Sequence, residues 1–155
     1  MGHVALLAGA DGEGLSKRLG SLSIGQLRDE GTEATALASL LARIGTSDPV
    51  VPCAEMAAII DGFDLSRFGR ATAKFDTVEL AQVNIRVIQQ LDFAVVADRL
   101  AALDVGGGAG FWLAVRDNLG SVAEAARWWR VCTAPQTPVI EAADVTNAAA
   151  SITGV

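Results

Sequence analysis

The sequence predicts a mainly α fold, and three observations carry that reading. Apolar residues recur at helical spacing along most of the chain, and capping signatures stand before several of those stretches. Only one short apolar run, Val4 to Ala8, reads as a buried strand. The third is balance: 51% of residues are hydrophobic and 19% charged, with Ala abundant, which suits a folded helical chain and not a disordered one. At 155 residues the chain is one domain, or two small ones sharing an interface, and can bury a core without staples.

Taken in order, Val4 to Ala8 leads into a Gly/Asp-rich loop from Gly9 to Gly14 that no regular element tolerates. Ser23 with Gln26 forms a capping box for a short helix holding Ile24 and Leu27, and Gly31 stops it. Thr32 is positioned to cap the next helix, where Leu37, Leu40, Leu41 and Ile44 fall at i, i+3, i+4 and i+7; Gly45 ends it. Asp48-Pro49 through Pro52 make a connector, and Ala54 to Ile60 a short helix. Phe63 to Phe75 reads as irregular. Asp76 with Glu79 opens a strong helix carrying Leu80, Val83, Val87 and Leu91 on one face. Asp92 begins another, with Phe93, Val96, Leu100 and Leu103 periodic. Gly106 to Gly108 breaks the chain before a short helix, Phe111 to Val115. Ser121 with Glu124 leads a helix striped by Val122, Ala125, Ala126 and Trp129, and Pro135 and Pro138 end it. Glu141 to Ser151 reads as a final Ala-rich helix, giving seven or eight helices with no fixed-period repeat.

Several classes of function are disfavoured. A formal net charge of −6 opposes broad electrostatic binding to nucleic acid, though not a local basic patch. Cys53 and Cys132 lack metal-ligand spacing and are expected to be two buried thiols; with His3 as the one histidine, no zinc constellation can be written. No apolar run approaches the roughly 20 residues that span a bilayer, and Met1-Gly2-His3 lacks a secretory n-region, so no membrane role is expected and the cytoplasm is the expected compartment.

Asp11-Gly12-Glu13-Gly14-Leu15-Ser16-Lys17-Arg18-Leu19-Gly20-Ser21 presents a hydroxyl and two adjacent cations between glycines. A lysine there is a compact positive charge suited to an anion. If that anion is a phosphate in transit, the lysine stabilises charge developing in the transition state, and a mobile loop can close over it. The plainer reading is a solvated Ser-Lys-Arg turn.

The string DGEGLSKRLG resembles the signature loop of class I aminoacyl-tRNA synthetases, in the D-G-x-x-L-S-K-R-x-G form of bacterial glutamate–tRNA ligases. The resemblance continues in order through Ser23 to Gly31, Ala36 to Gly45, and Phe63 to Asp76 (FDLSRFGRATAKFD) followed by Leu80 and Asn84, and more loosely through Trp128-Trp129 and Pro135 to Glu141. It implies ATP, brought with Mg2+, as the molecule met by Leu15, Ser16, Lys17 and Arg18, with Lys17 stabilising the triphosphate while glutamate is activated. The family's first motif lysine aligns with Gly14 here, so one of its two cations is absent. The resemblance further implies a strand-and-loop remnant of a catalytic domain and stem-contact helices over residues 1–91. A cage-like helical region, the first part of an anticodon-binding domain, follows over 92–155. The family's nucleotide-binding fold with paired histidines has no counterpart in these residues, so the chain is expected to be a C-terminal fragment, inactive alone. The implied partners are glutamate tRNA, with ATP and glutamate in a full-length, monomeric enzyme. The rival expectation is a freestanding helical interaction module derived from a synthetase.

Arg67, Arg70 and Lys74 allow two readings: phosphate contact with tRNA, as the resemblance places this region, or a solvated loop paired with carboxylates such as Asp64 and Asp76. Trp112, Trp128 and Trp129 could stack on unpaired bases; Trp129 falls on the apolar stripe and is expected in the core, leaving Trp128 as the surface candidate. Gly106 to Gly110 lacks the Gly-Lys-Ser/Thr of a phosphate loop and is expected to be a linker. Asp76 and Asp92 are expected to be helix caps.

Overall fold

A computed structural model describes residues 6–9, 12 and 23–135. They form β1 (Leu7–Gly9), α1 (Ile24–Asp29), α2 (Ala34–Leu41), α3 (Met56–Asp61), β2 (Ala73–Phe75), α4 (Thr77–Ile88), α5 (Phe93–Ala102), α6 (Gly108–Val115) and α7 (Ala125–Thr133). Short 3-10 turns lie at Leu65–Arg67, Arg116–Asn118 and Val122–Glu124. The mainly α expectation holds. The final helix expected over Glu141 to Ser151 lies outside the described residues.

One element of the expected irregular stretch is a strand. Ala73–Phe75 pairs in parallel with β1, Leu7 opposite Ala73 and Gly9 opposite Phe75. Three residues are too few to show alternation, and the partner lies far upstream, as parallel pairing requires. The pleat buries Ala73 and Phe75 and turns Lys74 outward.

Helix ends follow their local chemistry, with corrections at the caps. Ser23 accepts from the Gln26 N–H at 3.0 Å, but the Gln26 side chain turns forward to Glu30 instead of closing the box. Gly31, at φ +88°, ends α1 with the paired bonds Gly31 N–H to Arg28 O and Thr32 N–H to Leu27 O. Thr32 does not cap α2: Glu33 occupies that position without a side-chain cap bond. Asp76 caps α4 through the Val78 N–H at 2.8 Å. Asp92 holds the cap position of α5, but its carboxylate makes no cap bond. The Ser121 box is also open, because Glu124 bonds the Gly120 N–H instead and a 3-10 turn precedes α7.

Two apolar clusters meet on α4. Leu27, Ala36, Leu40, Phe75, Leu80, Val83 and Val87 form the first. Ile88, Leu91, Val96, Leu100, Val105, Trp112, Val115, Leu119, Val122 and Ala125 form the second, and Ala54 packs against both. Trp112, offered above for base stacking, is fully buried here and donates Nε1–H to Leu91 O at 2.8 Å. Leu103, expected on the α5 stripe, is 40% exposed, because the helix stops at Ala102 and Asp104 turns left-handed at φ 55°. Cys53 is half-buried and Cys132 exposed, against the expectation of two buried thiols. Cys132 lies in the last turn of α7 and belongs to neither apolar cluster.

Candidate functional site: the ends of a glycine-rich loop and a basic segment

The loop residues Leu15, Ser16, Lys17 and Arg18 lie outside the described residues. Both ends of the loop are placed. After β1, Gly12 takes φ +86° and its N–H returns to Gly9 O at 2.8 Å, a reversal that favours glycine. At the far end, Ser23 caps α1. A cleft of about 400 Å³ opens along α1 and α2, floored by Leu27 and Leu37 and rimmed by Arg28, Glu33 and Arg99.

The basic segment is sorted by its ion pairs. Arg67 ends the turn that Asp64 begins. Its guanidinium Nη1 bonds the Asp48 carboxylate, and its Nε lies 3.9 Å from Asp64. Arg43 shares Asp48 at 3.7 Å. Asp64 accepts from both the Ser66 N–H at 2.9 Å and the Ser66 hydroxyl at 2.6 Å. Those bonds, the hydroxyl first, hold its carboxyl below the usual aspartate range, with Arg67 adding to them. Two arginines and two aspartates thus neutralise one another, and Arg67 is largely committed to protein.

Arg70 and Lys74 differ. Both are exposed, and neither has an ion-pair partner among the described residues. Lys74 projects because β2 alternates; Arg70 sits in the bend before it. Asp76, named above as a possible partner, is occupied with its helix cap. These two cations are therefore the available anion contacts of the segment. Sequence reasoning found both, and missed Asp48 and Arg43, whose closeness to Arg67 comes from tertiary folding alone.

The tryptophans divide as expected for α7. Trp129 is half-buried, edge-on to Phe111 with ring centroids 5.1 Å apart, whereas Trp128 is 39% exposed. The Gly106-Gly107 step is a packing surface for the Trp129 ring. A Cβ on Gly106 would come within 2.7 Å of that ring, and one on Gly107 within 2.9 Å. Among the described residues no group of three or more His, Cys, Asp or Glu could hold a metal ion, and no helix is long and apolar enough to cross a membrane.

Known proteins resemble the chain in sequence and in fold. No family profile matches the chain. It is 49% identical over 150 residues to glutamate–tRNA ligase 1 of Maricaulis maris, a match covering 96% of the chain and 34% of that protein. It is 56% identical over 130 residues to glutamate–tRNA ligase 1 of Rhizorhabdus wittichii, covering 83% of the chain and 28% of that protein. The fold matches a crystal structure of a glutamate tRNA ligase from Elizabethkingia meningosepticum with TM-score 0.66 at 19% identity, over 93% of this chain and 34% of that one. Fold and sequence both point to the aminoacyl-tRNA ligases. Along the residues it spans, the chain belongs to the bacterial glutamate–tRNA ligases. It spans about a third of the length of the curated relatives it matches.

Proposed function

We propose that the chain contributes tRNA contacts and one loop of the ATP site to an enzyme that ligates glutamate to tRNA at the expense of ATP. The observation that carries this reading is the identity with glutamate–tRNA ligases along nearly the whole chain, together with the string Leu15-Ser16-Lys17-Arg18. In this reading Lys17 meets the triphosphate as negative charge builds during adenylate formation, and Leu15, Ser16 and Arg18 shape the loop around it. Mg2+ accompanies the ATP. With Gly14 where the family's loop has its first lysine, phosphate contact rests on Lys17 and Arg18. Arg70 and Lys74 contact tRNA phosphates; Arg67, paired with Asp48 and Asp64, contributes less.

Residues 1–91 are the end of a catalytic domain with stem-contact helices, and 92–155 the start of an anticodon-binding domain. The two apolar clusters, meeting between Val87 and Ile88, support a boundary near there. The enzyme is read as a cytoplasmic monomer, where its three substrates occur together. The rival reading, a helical interaction module, draws on the neutralised Arg67 cluster and the net charge of −6.

Glutamate- and tRNA-dependent exchange between ATP and pyrophosphate tests the division of labour. The 155-residue chain should show none. Exchange at the level of an intact ligase would contradict the assignment of one ATP-site loop alone to this chain.

A further inference from the structure

One buried amide stands where the two apolar clusters meet. Asn84, on α4, is 5% exposed, and its side chain bonds only backbone. Its Oδ1 accepts from the Glu33 N–H at 2.8 Å; its Nδ2 donates to Gly31 O at 3.3 Å and Gly120 O at 2.9 Å. Gly31 and Glu33 form the α1–α2 corner, which packs with the first cluster. Gly120 belongs to the loop that leads into Val122 and the second.

The corner and the loop also touch directly. Gly31 holds φ +88°, and a Cβ there would stand 2.6 Å from the Ser121 Cβ. Arg99 of α5 reaches the same corner, its Nη1 2.7 Å from Glu33 Oε1. Apolar contact is non-directional and tolerates sliding. An amide with both its donors and its acceptor engaged does not: rotation of one half that lengthens the Gly120 bond strands a buried N–H.

We propose that Asn84 is a positioning residue that locks the angle between the half built on α1–α4 and the half built on α5–α7. It thereby sets the spacing at which Arg70 and Lys74 on one half and α7 on the other are offered to a single tRNA. The lock is independent of RNA; its service to tRNA rests on the ligase reading above.

The test is the distance between spin labels on Cys132, exposed on α7, and on a cysteine placed at exposed Asp29 of α1. The 155-residue chain carries the labels in a Cys53→Ser background. With Asn84 present, one narrow distance distribution is expected. Asn84→Asp keeps the shape and the acceptor but sets a carboxylate oxygen against two carbonyls. The distribution should broaden and shift while far-ultraviolet circular dichroism stays unchanged. An unchanged distribution in this folded variant overturns the proposal, because apolar packing then sets the angle. Should Asn84→Asp fail to fold, Asn84→Ala decides. It removes all three bonds of the amide and adds no charge, and a broadened or shifted distance supports the lock whereas an identical one overturns it. No RNA is present, so failure here leaves the ligase reading standing, and failure to bind tRNA leaves the lock standing.

Discussion

Lys17 is the residue on which the catalytic reading rests. In the full-length ligase, Lys17→Ala should lower kcat for adenylate formation by about 10²–10³-fold, the usual loss when one contact to developing charge is removed. Steady-state kinetics of pyrophosphate exchange separate this from simple binding: a rise confined to the Michaelis constant for ATP would contradict the role given to Lys17. Asp64 offers a second single-residue check. Its folded carboxyl titrates below the usual range, so the turn it caps is supported above that range and loses the support as pH falls through the lowered value. The Ser66 amide resonance, followed by NMR, should keep its hydrogen-bonded position until the pH is below the ordinary aspartate range. A midpoint at the ordinary value would mean the bonds from Ser66 do not persist in solution. Trp112 is a stability residue. Trp112→Phe removes the bond to Leu91 O and some buried volume; Arg116 Nη1 still donates to that carbonyl at 3.2 Å. The expected cost is about 1–3 kcal/mol by denaturant unfolding.

The glycine step before α6 shows how an element can invert a local rule. Gly107→Ala meets a left-handed φ of +77° and a Cβ placement 2.6 Å from Phe111 Cβ, so it should destabilise by more than about 2 kcal/mol. Gly110→Ala, inside α6 with nothing within 4 Å, should stabilise by about 0.4–1 kcal/mol. Denaturation midpoints of the two variants should move in opposite directions; a Gly107→Ala midpoint at or above that of the unsubstituted chain would contradict the close packing against Phe111 and Trp129. The helices themselves were legible in the sequence because each carries its apolar stripe locally, as Leu80, Val83 and Val87 do on α4. What was not legible depended on distant partners. β2 is three residues long and defined by β1. Thr32 lost its capping role because the α2 entry is held by Asn84, and Asn84 itself was only a letter in a pattern until three backbone groups converged on it. Of the basic segment, the identity of the cations was legible and their pairing was not.

The whole molecule is acidic, with a net charge of −6, so any RNA contact works against its general field. Binding must then be weak and depend on cations that, among the described residues, have no carboxylate partner. Arg70 and Lys74 together should contribute a salt slope of between about −1 and −2 in log affinity against log salt. Arg67→Ala alone should lower tRNA affinity little, since its charge is already answered by Asp48 and Asp64, and should cost stability of about 0.2–1 kcal/mol. The most direct test of the central claim is titration of labelled glutamate tRNA with the chain at low and moderate salt, beside an Arg70→Ala/Lys74→Ala variant of unchanged circular dichroism. Weak binding at low salt, lost at moderate salt and lost in the double variant, is the predicted result. Absence of binding at low salt, or equal binding by the double variant, would contradict the account.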